Sequence, residues 1–97
     1  MAGQIRLTPE DMRTRSNEYT QQSETFQEVI QTMRRLLTQL QTEWEGASSQ
    51  AFEQRFNELE PSFRATKDLI DEIAANLMST ANSLEQLDAD IASKIGG

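Results

Sequence analysis

Apolar side chains recur along this chain at helical spacing in two long blocks separated by a short break. In the first block Met12, Tyr19, Phe26, Met33 and Leu40 fall at steps of seven. Ser16, Ser23, Ile30, Leu37 and Trp44 form a second row four residues on, and Val29 and Leu36 a third, partial one. Residues three, four and seven apart share one side of an α-helix, so the block predicts a helix over 8–42. At about 1.5 Å per residue it is about 50 Å long. Its start is marked by Thr8-Pro9-Glu10-Asp11: a capping hydroxyl, a proline suited to the first helical position, and two acids at the positive end of the dipole. Asp11 can close a capping box with Thr8. Apolar content rises along the helix, with Ser and Thr in its first half where Ile and Leu stand in its second.

The second block has the longer pattern. Phe52, Phe56, Leu59, Phe63, Thr66, Ile70, Ile73, Leu77, Thr80, Leu84, Leu87 and Ile91 alternate steps of four and three without a slip, a heptad seam that predicts a helix over 49–93. Ala74 and Ala81 lie beside the seam, where another backbone can approach. Pro61 removes a hydrogen bond from the ladder, but the pattern keeps its phase on both sides, so a local kink is expected rather than a break.

Between the blocks, residues 43–48 predict a turn that contains Trp44-Glu45-Gly46, with the chain's one tryptophan. Gly46 is suited to the left-handed conformation that ends a helix, and Ser48 or Ser49 to capping the next one. Residues 1–7 and 94–97 are expected to be flexible tails.

A short turn between two long helices makes them antiparallel. One domain results: an all-α helix-turn-helix hairpin. Each helix carries an apolar arc too wide for a single neighbour. Phe26, Ile30, Met33, Leu37 and Leu40 on the first helix face Phe52, Phe56, Leu59, Phe63, Ile70, Ile73 and Leu77 on the second. Fully burying such a side chain stabilises by about 1.5–3 kcal/mol, so two hairpins are expected to pair as a four-helix bundle. The simplest form is a two-fold homodimer; a heterodimer with a similar hairpin is the other form.

Composition narrows the chemistry. The 97 residues carry 16 acids against 9 bases, a net charge of −7, with no His and no Cys. Negative charge opposes nucleic-acid binding. It also opposes adsorption on a membrane surface, where Lys and Arg are the usual anchors. The residue inventory lacks the usual catalytic bases and thiol nucleophiles, and no enzymatic activity or cofactor is expected. Asp68, Asp71 and Glu72 are the best acidic cluster, but acids spread along a helix are ordinarily solvated surface, so no metal site is expected. No apolar run approaches the roughly 20 residues of a membrane span, and the first residues lack the core of a signal peptide.

The Trp44-Glu45-Gly46 turn, centred between two amphipathic helices in a chain of this size, resembles the WXG family of small secreted proteins. It is close to the EsxA-like members of Gram-positive bacteria, which are substrates of the type VII (ESAT-type) secretion system. Leu84, Asp88, Ile91 and Ile95 resemble that family's C-terminal export pattern, although Leu84 stands where many members carry Tyr. Leu84 and Ile91 also belong to the heptad seam, so packing accounts for them equally well. The resemblance implies a non-enzymatic protein made in the cytoplasm and exported as a folded dimer by a membrane ATPase machine. It would be secreted without a cleaved N-terminal signal peptide and would take its place among candidate virulence factors. It further implies that the turn of one protomer lies near the tail of the other as a composite signal. For Trp44 two roles stand open and are compatible with each other, sealing the end of the bundle and being read directly. The alternative function is a cytosolic adaptor or chaperone that offers its apolar face to a partner protein.

Overall fold

In a computed structural model, which describes residues 6–44 and 46–96, the chain is a helical hairpin. Helix α1 spans Pro9–Glu43 and α2 spans Ala47–Gly96. The molecule is a rod with extents of 76 × 22 × 18 Å, the width of two helices side by side.

The start of α1 follows from its first residues. The Asp11 amide donates to Thr8 Oγ1 at 3.0 Å, and the Thr8 amide donates to Asp11 Oδ2 at 3.3 Å. Both arms of the capping box are therefore made, with Pro9 at the first helical position. Helix α2 runs through Pro61 without a break. Its solvent-exposed position lets the neighbouring carbonyl find water. The helix continues past the expected end at 93 to Gly96, so 94–96 are helical rather than tail. Nothing in Lys94 or Ile95 stops a helix, and Lys94 is a cation in the last turn, where the dipole favours it.

The two helices meet on one row each. From α1 that row is Met12, Ser16, Ser23, Ile30 and Leu37, buried or half-buried throughout. On α2 the expected heptad seam is only partly used. Its central row, Phe56, Phe63, Ile70, Leu77 and Leu84, packs toward α1, but the second row toward α1 is Glu60, Lys67, Ala74 and Ala81. The other row of the expected seam lies on the far side, and Phe52, Leu59, Thr66 and Leu87 in it are exposed.

Small residues decide this choice. On α2 Ala81 is fully buried and Ala74 nearly so, and on α1 Ser16 and Ser23 are buried at 3% and 1% exposure. With no bulk on either side the backbones approach until Ser16 Oγ donates to the Ala74 carbonyl oxygen at 2.7 Å. Next to it Ser23 Oγ donates to Asp71 Oδ1 at 2.5 Å, and Lys67 Nζ donates to Asp71 Oδ2 at 2.9 Å. Every buried side-chain polar atom among the described residues has a partner, so the close approach leaves no unsatisfied group.

Ala81→Leu should therefore overpack the seam and cost about 1–3 kcal/mol, measured by urea unfolding followed by far-UV circular dichroism. The Asp71 carboxyl also reports on the seam. The Ser23 hydroxyl first, then the Lys67 ammonium, hold its pKa below the ordinary 3.8. A carboxyl lowered on folding stabilises the fold above its unfolded pKa, and that contribution is lost as pH falls through the folded value. Ser23→Ala should move the Asp71 pKa upward in an NMR titration and reduce the dependence of stability on pH below about 4.

Candidate functional site: the turn and the open apolar face

Where the helices separate, the backbone makes the turn in very few residues. Trp44 caps α1 in an extended conformation, and its amide donates to the Leu40 carbonyl oxygen at 2.7 Å. Gly46 has φ +154, a positive value that L side chains rarely adopt but not that of a left-handed helical residue, so it does not close α1 in the form expected for it. It precedes α2 instead. Neither Ser48 nor Ser49 caps that helix, because Ala47 already begins it and both serines lie inside. Ser49 is buried, and its hydroxyl donates back to the Gly46 carbonyl oxygen at 3.0 Å, tying the first turn of α2 to the loop. Glu45, the middle residue of the tripeptide, lies outside the described residues.

A Cβ on Gly46 would meet nothing within 4 Å. The glycine is thus needed for its backbone conformation, not for space. Gly46→Ala should cost about 1–3 kcal/mol through strain alone, seen as a lower urea midpoint with unchanged helix content.

The hairpin has two unlike faces. On one, polar side chains cross between the helices. Arg34 donates to Glu60 Oε1 at 2.6 Å and to Asn57 Oδ1 at 3.2 Å, and its guanidinium lies 4.9 Å from the centre of the Phe56 ring. Gln41 reaches Glu53, and Arg13 reaches Glu85 and, at 2.8 Å, Asn82 Oδ1. Arg34 was not among the residues singled out in the sequence; its signal was its place seven residues before Gln41, beside the apolar row. These pairs are solvent-exposed, so each stabilises little, but together they occupy that face with charge.

The opposite face is apolar and open. Met33, Leu36, Leu37 and Leu40 of α1 and Phe52, Phe56, Leu59 and Phe63 of α2 line a groove of about 650 Å³. Phe56 and Phe63 pack ring to ring at 5.4 Å, and only Phe56 of the eight is buried. Phe52 is 56% exposed, Leu36 51% and Met33 46%. Trp44 stands at the end of the groove, 42% exposed, with its indole 6.2 Å from the Phe52 ring. Of the core residues picked from the sequence, Phe26, Ile30, Leu37, Phe63, Ile70, Ile73 and Leu77 are half-buried, while Met33, Leu40, Phe52 and Leu59 are exposed in the single hairpin.

The tail residues sit elsewhere. Leu84 is half-buried, and from Glu85 to Ile95 every residue is exposed, Ile95 most of all at 81%. Helix α2 has 50 residues against 35 in α1, so its end runs on beyond the helix it packs against. Within one chain Trp44 and the Asp88–Ile95 segment lie at opposite ends of the rod. Among the described residues no group of three or more His, Cys, Asp or Glu is placed to hold a metal ion, and no helix is long and apolar enough to cross a membrane.

Residues 4–89 match the profile of WXG100, proteins of 100 residues with WXG. The chain belongs to the WXG100 family. Its Trp-x-Gly is the turn just described. The chain is 40% identical over 97 residues to Protein YukE of Bacillus subtilis, covering the whole of both chains. It is 37% identical to the ESAT-6-like protein SAG1039 of Streptococcus agalactiae over 94 residues, 97% of this chain and 98% of that one. The type VII secretion system extracellular protein A of Staphylococcus aureus is 28% identical over 92 residues, 95% of each chain. Among solved structures, Geobacillus thermodenitrificans EsxA superposes with a TM-score of 0.86 at 42% identity, covering 95% of this chain and 99% of that chain. The family and the hairpin expected from the Trp-x-Gly turn are therefore both correct.

Proposed function

We propose that this WXG100 protein is a substrate of type VII (ESAT-type) secretion that leaves the cell as a folded homodimer and acts outside it without enzymatic activity. The observation that carries the reading is the open groove beside the Trp-x-Gly turn. Eight large apolar side chains line one face of a rod whose other face is laced with ion pairs. Exposed apolar patches of this kind mark interaction surfaces. A second copy supplies the same surface, and a two-fold pairing covers both at once. Secretion is supported by the relatives named as type VII extracellular and ESAT-6-like proteins. The end of α2, from half-buried Leu84 through exposed Asp88, Ile91 and Ile95, is the segment proposed for recognition by the membrane ATPase machinery. A role as a virulence factor rests on the family resemblance alone.

Two measurements test this. Leu59→Asp places a charge in the groove and should weaken dimerisation by about 2 kcal/mol or more, roughly thirtyfold, by sedimentation equilibrium; a wild-type chain that is monomeric at micromolar concentration would overturn the homodimer. Removing residues 84–97 should leave the dimer intact and abolish the protein's appearance in culture supernatant, with a cytosolic marker as the lysis control. Retention of the full-length chain in the cytosol of a host with an active type VII machine would favour the adaptor reading instead.

A further inference from the structure

The chain enters α1 from the groove side of the hairpin. Leu7 and Met12 stand just before and four residues after the Thr8 cap, the two positions that a hydrophobic staple brings together. Met12 is 4% exposed, whereas Tyr19, Met33 and Leu40 of the same row are 40%, 46% and 36% exposed. Leu7 also lines a depression of about 470 Å³ together with Arg15, Tyr19, Ile73, Asn76 and Leu77. Tyr19 lies eleven residues past the cap, about 16 Å along α1. A depression bounded by both Leu7 and Tyr19 has Leu7 turned back over α1 toward the hairpin turn, not carried off the helix end.

We propose that residues 3–7 form a strap across this half of the open face, with Ile5 seated beside Leu7 in the Tyr19–Ile73–Leu77 depression. Thr8 has an extended backbone, at φ −73 and ψ 161, and Arg6 is exposed. In an extended segment residues two apart share a side and lie about 6.6 Å from each other. Ile5 then falls on the side of Leu7, with Gln4 and Arg6 turned to solvent. Along α2, Ile73 lies four residues before Leu77, about 6 Å closer to the turn. The apolar side chains of the strap and those of the depression are therefore in step. Donors for the strap's carbonyls are at hand. Asn76 Oδ1 accepts from Thr80 at 3.4 Å, which leaves the Asn76 amide nitrogen to donate, and the Arg15 guanidinium, paired with Glu18, has further N–H groups.

The end of α2 is the other surface within reach, and Asp88 and Asp90 there offer opposite charge to Arg6. Exposed ion pairs stabilise little, and the place of Leu7 against Ile73 and Leu77 directs the segment the other way. The strap has a consequence for assembly. Tyr19 shares its row with Met33 and Leu40, and Ile73 shares its row with Phe52 and Leu59. The strap thus lies on the face that a second hairpin covers, and the two compete for its tail half. This competition rests on the homodimer proposed above; the seat of Ile5 does not. One large side chain is all that a partner has to displace, so the strap tunes pairing rather than blocking it.

The chain has no cysteine, so a single nitroxide can be attached through Gln4→Cys. In the Leu59→Asp chain, whose charge opposes pairing, the label should broaden the amide NMR signals of Tyr19 and Ile73 and spare those of Asp88–Ile95. An excess of chain without isotope or nitroxide keeps contacts between chains out of the measurement. Adding Ile5→Asp should abolish the broadening. Broadening at Asp88–Ile95 instead, broadening at Tyr19 and Ile73 that survives Ile5→Asp, or no broadening at either place overturns the strap. In the otherwise unchanged chain, Ile5→Asp should tighten pairing about fivefold by sedimentation equilibrium, and unchanged or weaker pairing overturns the competition. A chain that is monomeric at micromolar concentration would overturn the homodimer itself, while the NMR result still decides the strap, so the two failures are distinguishable.

Discussion

Buried small residues, Ser16 and Ser23 on α1 and Ala74 and Ala81 on α2, let the two helix backbones come together, with Ser16 bonded to the Ala74 carbonyl, and the remaining packing follows from that approach. A helix has a limited circumference. Once α2 turns its alanine row toward α1, the large residues on the next rows cannot also face inward. Phe52, Leu59 and Leu69 are carried to one side, and Met33, Leu36 and Val29 of α1 are carried to the same side because the helices are antiparallel. The small-residue contact thus produces a wide apolar face as its geometric complement. A hairpin closed on leucines and phenylalanines would stand further apart and leave less to offer a partner.

Polar groups reinforce the same asymmetry. Arg34, Gln41 and Arg13 all reach α2 across the face opposite the groove. Their acceptors are all α2 side chains, Glu60, Asn57, Glu53, Asn82 and Glu85, so the charge pattern favours one register of α1 on α2 over its neighbours. Exposed pairs add little stability, but sliding α1 by one turn would separate every one of them together. Register is where such contacts matter most.

Much of this was legible in the sequence. The steps of three, four and seven located both helices, and Thr8-Pro9-Glu10-Asp11 located the start of α1 because capping is local chemistry. The Trp-x-Gly turn at the centre of the chain was enough to point to the family. What periodicity did not resolve was which flank of the α2 seam faces α1. Phe56, Phe63, Ile70, Leu77 and Leu84 belong to either choice, and a hydrophobicity count favours the row with Phe52, Leu59 and Ile73. The structure takes the row with Glu60, Lys67, Ala74 and Ala81, because close approach rewards small size over apolar bulk, and Lys67 and Glu60 reach solvent or a partner from the edge. The role of Gly46 was misplaced for a related reason. Glycine signals freedom at φ > 0, and the sequence does not say whether that freedom ends one helix or introduces the next.

The division of the hairpin into a polar-bridged face, an apolar groove and a bare helical overhang separates tasks that one surface would perform badly. In the proposed dimer, a surface buried between two hairpins would be unavailable for reading by another protein. Residues that must be read need to stay exposed after assembly. In α2 the two demands fall on different rows: Leu59, Leu69 and Leu87 are on the groove side, whereas Asp88 and Ile95 share the row of Ala74 and Ala81, beyond the level at which α1 begins. There the row that serves close packing earlier in the helix has no partner left, and its residues become large and charged. One seven-residue period thus carries a packing row and a solvent-facing row in succession, and the change between them is set by where α1 begins, at the Thr8 cap.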